Sequence, residues 1–227
     1  MSGFVLPPAP TPSVPVAGEE TRFPVRRIFC VGRNYADHAR EMGHDPDREP
    51  PFFFTKPADA LLTGDADLPY PAATADLHFE GELVVALGAG GADLSPDQAT
   101  GLIWGHAAGN DLTRRDLQAQ AKAAGRPWDM AKGFDRSAVC GAIRRATEPM
   151  RSGRLTLSVN GQVRQDSDLS AMIWPVADII AHLSRLVTLA PGDLIYTGTP
   201  AGVGALRRGD IATVAIEGLE PVTTRVV

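Results

Sequence analysis

Glycine and proline interrupt this chain too often for it to build long helices. Among 227 residues there are 23 glycines and 19 prolines, and aromatic residues make up only 6%. Proline fixes φ and removes a backbone donor, while glycine frees the backbone for tight turns. The stretches left between them are short. They favour many short strands and loops over a helical bundle. With 44% hydrophobic and 22% charged residues, those short elements carry enough apolar surface to pack rather than stay disordered.

The first 23 residues stand apart. Pro7, Pro8, Pro10, Pro12 and Pro15 crowd one stretch, so residues 1–23 read as an extended, polyproline-like arm. The main domain then spans 24–227. Residues 24–31 read as its first strand, and 34–42 as a short helix with Asn34 as a candidate cap. Residues 43–51 are a polar loop, and 52–55 a short buried strand stopped by Lys56-Pro57. Residues 78–87 read as one strand, with His78, Glu80 and Glu82 alternating against Phe79, Gly81 and Leu83. A further strand spans 103–110, and a helix 112–124 ends at Gly125. Asn160-Gly161 marks a hairpin. Residues 175–186 are an amphipathic helix with Val176, Ile179, Ile180 and Leu183 on its apolar face, and strands at 194–197 and 211–216 follow. The expected class is α+β and strand-rich.

Charge and composition exclude several roles. Lys and Arg total 22 against 27 Asp and Glu, a formal net charge of −5. A mildly acidic chain without a basic stripe is a poor nucleic-acid binder. Two cysteines, Cys30 and Cys140, make neither a disulfide framework nor a thiolate zinc site, and read as buried apolar residues. No apolar run is long enough to span a bilayer, and no secretory signal pattern opens the chain. The expectation is a soluble, cytoplasmic protein.

The candidate chemistry lies in a few polar clusters. Glu80 and Glu82 at i and i+2 of a strand project from one face. Like charges so close repel unless a cation lies between them. With Asp111 they form an oxygen donor set suited to Mg²⁺ or Mn²⁺, although Glu-x-Glu is also an ordinary solvated strand face. His38 and Glu41 are neighbours at i, i+3 of a helix. A carboxylate there fixes the imidazole tautomer and makes a competent general base, although the pair also suits the polar face of a surface helix. Asp111, Arg115 and Gln118, at i, i+4 and i+7, would share one helix face and form a wall able to hold metal and carboxylate. Lys132, in WDMAKGFD, is a candidate anion neutraliser, and Lys56 in FTKP is similar; either alone reads more often as a surface lysine. The loop TGTPAGVG can aim backbone N–H groups and the Thr199 hydroxyl at an anion, but it lacks the lysine of a phosphate-binding loop.

In sequence order the segments are GRNYADHAREM, FFFTKP, HFEGELVVALG, GNDLTRRDLQ, WDMAKGFD and LAPGDLIYTGTPAGVG. Their order and residue types closely resemble the fumarylacetoacetate hydrolase family over residues 24–220. Within it, EMGHDPDREPPFFFTKPADA is most similar to the branch that cleaves fumarylpyruvate in gentisate-type aromatic breakdown. The resemblance implies a mixed β roll, usually homodimeric, and a divalent metal, Mg²⁺ or Mn²⁺, held by Glu80, Glu82 and Asp111. It assigns His38 and Glu41 as the water-activating pair and sets Lys132, Arg115, Gln118 and Thr199 around a 2,4-dioxo acid. The substrate's far carboxylate needs a cation, for which Arg48 or Arg40 is the candidate. Relatives that decarboxylate oxaloacetate, hydrolyse acylpyruvates or isomerise dienedioates share the same enolate site and are the alternative reactions. A non-catalytic protein on this fold would have damaged site residues, whereas all of these are present.

Overall fold

The computed structural model describes residues 3–41, 50–64 and 66–227. The chain opens with a short antiparallel hairpin, β1 (Ser13–Pro15) and β2 (Arg22–Pro24). Strand β3 (Arg27–Val31) and helix α1 (Ala36–Glu41) follow, then β4 (Phe53–Lys56), β5 (Leu61–Thr63) and β6 (Asp67–Leu68). The expected strand at 78–87 is two strands, β7 (Leu77–Phe79) and β8 (Gly81–Leu87), interrupted at Glu80. After α2 (Pro96–Thr100) comes the nine-residue β9 (Ile103–Asp111). The helix expected from 112 starts later, because Thr113–Arg114 pair as β10; α3 covers Arg115–Ala123, followed by α4 (Asp129–Lys132). Then come β11 (Ala138–Cys140), β12 (Arg144–Arg145) and the hairpin β13 (Arg154–Val159) to β14 (Gln162–Asp168). That hairpin turns at Asn160 and Gly161, both with positive φ. Helix α5 (Val176–Leu186), β15 (Asp193–Tyr196), β16 (Gly204–Leu206), β17 (Ile211–Ile216) and β18 (Val222–Val226) complete the chain.

Eight strands form one sheet in the order β4-β3-β15-β8-β9-β11-β5, with β12 also on β9, and five form a second, β14-β13-β17-β18-β6. This is the expected strand-rich α+β roll. The large sheet is buried on both faces. Leu83, Val85 and Leu87 enter the main core with Leu155, Leu157, Val214 and Ile216 of the second sheet. Val84 and Ala86 enter a second core with Ile28, Cys30 and Tyr196. Every residue of β8 is therefore buried, and the alternative reading of Glu80 and Glu82 as a solvated strand face does not hold.

Part of the proline-rich segment covers that second core. Val14, Val16, Phe23 and Val25 are buried there. Residues 3–12 remain exposed or half-exposed. Helix α5 sits as its pattern indicates, with Val176, Ile179, Ile180 and Leu183 buried.

Two local expectations fail for physical reasons. Residues 52–54 are half-buried and Thr55 is exposed, because β4 is an edge strand with only β3 beside it. Asn34 is not a helix cap. Its buried amide donates to the carbonyls of Thr197 (2.8 Å) and Trp174 (3.0 Å) and accepts from the Trp174 amide (2.7 Å). It thereby pins the start of α1 to two distant loops. Residues 42–49, which hold most of the expected 43–51 loop and Arg48, lie outside the described residues.

Candidate active site

The break at Glu80 places the acidic cluster. Gln165 accepts from the Gly81 amide (2.9 Å), and the Asn110 side chain accepts from the Glu80 amide (2.8 Å). Backbone donors that a continuous ladder would have paired are thus satisfied by side chains. Glu80 and Glu82 flank Gly81, and β9 delivers Asp111 beside them through its pairing with β8. Asp111 therefore ends a strand and is not on the helix with Arg115 and Gln118. The three carboxylates nevertheless converge. Each is buried, and each offers an oxygen within 4.8 Å of the others.

Three cations, a nearby histidine and one backbone amide surround these charges. Lys132 reaches Glu80 (2.6 Å) and Asp111 (2.9 Å), and Arg115 reaches Glu80 (2.5 Å). Lys56 contacts Asp111 at 2.7 Å with its side chain 0% exposed, and its ammonium also donates to the carbonyls of Leu112 (3.1 Å) and Lys132. It is a buried member of the network, not a surface lysine. His38 lies near enough to add to the field at Glu80. Burial works against the charge on Glu80, but Lys132, Arg115 and His38 hold it well below the usual carboxylate range. Burial likewise opposes the charge on Lys132, yet Asp111 and Glu80 hold its pKa above the ordinary lysine value. Among the described residues Glu82 has no such cation at contact distance. It accepts from the Gly198 amide at 2.7 Å, while burial, Asp111 and Glu80 push its pKa well up.

These residues fit a hard divalent ion. The donors are all carboxylate oxygens, and one of them lacks a protein cation at contact distance. Glu80, Glu82 and Asp111 are the groups able to hold it.

His38 and Glu41 stand above this floor. The imidazole Nδ1 is 3.3 Å from Glu41 Oε2. Burial lowers the His38 pKa below its ordinary 6.5, against the opposing pull of Glu80 and Glu41, so the ring is neutral near neutral pH. Glu41 in turn accepts from the Gly202 amide at 3.2 Å. The glycine-rich loop thus aims backbone N–H groups at carboxylates, as its sequence suggests, but at the chain's own: Gly198 at Glu82 and Gly202 at Glu41. Both glycines have φ above +90°, a region that side-chain-bearing residues rarely adopt. Thr199 is buried, and its hydroxyl donates to the Gly81 carbonyl (2.9 Å) and accepts from Gln165 (2.8 Å). It fastens the loop to the Glu80–Glu82 turn.

His38, Glu80, Arg115, Gln118 and Lys132 line one cavity of about 450 Å³. Gln118 accepts from Arg115 at 2.6 Å, which holds the guanidinium against Glu80. Arg40 does not line this cavity. It is exposed and pairs with Asp37 at 2.7 Å. Sequence reasoning underrated Lys56 and overlooked Gln165 and Asn110, whose buried amides shape the floor. Gly81 and Glu80 side by side on a broken strand were the available signal, since a break inside a sheet must find other partners for its backbone.

A buried carboxylate triad, with Glu80, a buried lysine and an oriented histidine opening onto one cavity, makes a site suited to metal-assisted chemistry. The sequence comparison agrees: a family model described as fumarylacetoacetate (FAA) hydrolase C-terminal matches residues 27–227. The chain belongs to the fumarylacetoacetate hydrolase family. A fumarylpyruvate hydrolase from a Ralstonia species is 45% identical over 192 residues, 82% of this chain and 98% of that protein. The crystal structure of fumarylpyruvate hydrolase from Pseudomonas aeruginosa in complex with Mn²⁺ and pyruvate superposes with a TM-score of 0.97 at 48% identity, covering 99% of each chain. The oxaloacetate tautomerase of Escherichia coli K12 is more distant, 40% identical over 207 residues, 90% of this chain and 94% of that protein.

Proposed function

We propose that this protein is a divalent-metal-dependent C–C bond hydrolase that converts 3-fumarylpyruvate and water to fumarate and pyruvate in gentisate-type aromatic breakdown. The observation that carries the reading is the opening of His38, Glu80 and Lys132 onto one cavity, directly above the buried carboxylates. The likeness to two fumarylpyruvate hydrolases, one crystallised with Mn²⁺ and pyruvate, supports the substrate. Homodimerisation and a cytoplasmic location belong to the same proposal. A second copy would cover the exposed apolar run Phe4, Val5 and Leu6.

The chain's own residues then act as follows. With its Nδ1–H donated to Glu41, His38 keeps a lone pair on Nε2 and takes a proton from water. The resulting hydroxide adds to the carbonyl next to the fumaryl group. Collapse of the tetrahedral species breaks the C–C bond, fumarate leaves as the carboxylic product, and the bonding pair stays on the pyruvate fragment as its enolate. The Lys132 ammonium faces that developing charge. A proton returned from His38 yields pyruvate and closes the balance. Mg²⁺ or Mn²⁺, when bound by Glu80, Glu82 and Asp111, supplies Lewis-acid polarisation of the 2-oxo acid.

The test is to strip the purified protein of metal, add 3-fumarylpyruvate, then add Mg²⁺ or Mn²⁺. Enol absorbance should fall and pyruvate appear only after the metal. Pyruvate from oxaloacetate or acetylpyruvate, with 3-fumarylpyruvate untouched, keeps the site and overturns the substrate. That outcome would favour the reactions of the oxaloacetate-handling relatives. Inertness toward all three overturns the enzyme reading.

A further inference from the structure

The cavity has a second end that the reaction chemistry above does not use. Arg115, Gln118 and Lys122 occupy i, i+3 and i+7 of α3, one face of the helix, and all three line the cavity. Arg115 meets Glu80 at the floor. Lys122 is two turns further on, about 10 Å along the axis at 1.5 Å per residue. Its ammonium lies over the Trp128 ring at 5.1 Å. Trp128 meets Phe52 edge to face at 5.4 Å, and the Arg33 guanidinium lies over Phe52 at 5.0 Å. Two aromatic rings, each carrying a cation, therefore form the rim opposite the carboxylates.

Among the described residues Lys122 makes no hydrogen bond or ion pair, and its one close partner is the Trp128 ring. Burial, Arg115 and Arg33, in that order, lower its pKa, with a further small push from Lys132, and Glu80 alone pulls the other way. A cation at an opening with no carboxylate beside it is stabilised by an anion brought to it.

We propose that Lys122 binds the far carboxylate of the substrate, so that the cavity selects a dioxo acid with a carboxylate at each end over short or singly charged acylpyruvates. The inference rests on the hydrolase reading above and takes the place of the expectation for Arg40. The two carboxylates of 3-fumarylpyruvate are separated by six C–C bonds, roughly 7–8 Å when extended. That span suits a ligand with one end at the floor and the other beneath the Lys122 ammonium. Oxaloacetate, with three bonds between its carboxylates, reaches only about half as far. The flat fumaryl double bond would pass the Phe52 and Trp128 rings on the way.

Lys122→Met keeps most of the side chain's apolar stem and removes its charge; Lys122→Arg keeps the charge. The quantity to read is the ratio of kcat/KM for 3-fumarylpyruvate to that for acetylpyruvate, which lacks the far carboxylate. One charge-assisted contact at a half-open site corresponds to about a tenfold fall in that ratio in Lys122→Met, mostly through KM, with Lys122→Arg recovering most of it. A ratio within twofold of the parent, or an equal loss on both substrates, overturns the proposal. A parent enzyme that leaves 3-fumarylpyruvate uncleaved refutes the reaction and not the subsite. Calorimetric affinities of the same two ligands for Mn²⁺-loaded His38→Ala protein, with and without Lys122→Met, decide the subsite in that event. There the far carboxylate should improve binding only while Lys122 is present; an advantage that survives its loss overturns the proposal.

Discussion

The floor and the rim of this cavity are built by opposite means. The floor's carboxylates come from the centre of a sheet buried on both faces, and Glu80 and Asp111 are locked within 3 Å to the buried Lys56 and Lys132. The rim comes from the segments after β3 and before β4 and from α3 and the loop after it, and its cations rest on aromatic rings. Groups that must stabilise charge during bond breaking need fixed positions and a dry setting, where electrostatic interactions are strong. Groups that only sort substrates can sit where one substitution alters contacts without unsettling the core. Relatives named for fumarylpyruvate and for oxaloacetate fit this division, since both substrates pass through an enolate but differ in length.

Substitutions can break or sharpen that contrast. The largest effect should come from the floor: Glu80→Ala should bring metal-dependent turnover to background while the melting curve stays cooperative. Near-parental activity with unchanged metal dependence would remove Glu80 from the metal set. His38→Ala, between floor and rim, should lower kcat by about 10²–10⁴ with metal still bound. In the parent enzyme, kcat/KM should rise with pH through a midpoint below 6.5, because the depressed His38 pKa keeps the base unprotonated to lower pH; a midpoint above 7 would assign that limb to another group. Lys56→Met should cost up to about 3 kcal/mol of stability, the low end of the penalty for breaking a buried pair, because Lys132 still holds Asp111; it is read as a shift of the urea midpoint. A rim-sized shift below about 0.5 kcal/mol would mean the floor is less tightly coupled than its distances indicate.

A smaller effect separates networked from isolated buried polarity on the same strand. His106 is on β9 five residues before Asp111, 1% exposed, with neither ring nitrogen hydrogen-bonded among the described residues. Burial, then Arg144, depress its pKa to about 4. The unfolded chain takes up a proton near 6.5 that the native state refuses until about 4, so stability is lost as pH falls through that window. The loss is about 3 kcal/mol at 1.36 kcal/mol per unit. Urea titrations at pH 7 and pH 4.5 should show it, and His106→Gln should flatten the difference; an undiminished acid loss in that variant would assign it to other groups.

Much of the floor was legible in the sequence, for specific reasons. Glu80, Glu82 and Asp111 stand in motifs whose order marks the family, and their types alone suggest a hard ion. The route by which they meet was less legible. Alternation through 78–87 cannot reveal that Glu80 interrupts the strand, because the break depends on the distant amides of Asn110 and Gln165. The helix at 112–124 looked continuous because its residues favour helix, but Thr113 and Arg114 gain more by pairing with β7. A lysine can bury its stem and keep its charge in water, so FTKP could not tell that Lys56 is sealed inside. The prolines around 7–15 suggested an arm, and nothing local signals that Val14 and Phe23 cover the sheet. The rim was harder still, since Lys122 is an ordinary helix residue until Trp128 folds beneath it.

One contact joins the moving proton to the backbone. The Gly202 amide is held by the same carboxylate that orients His38, so its hydrogen can exchange with solvent only when Glu41 lets go. The exchange rate at that single amide is a clock for how often the base loses its orientation. It can be read in resting protein, with no substrate present.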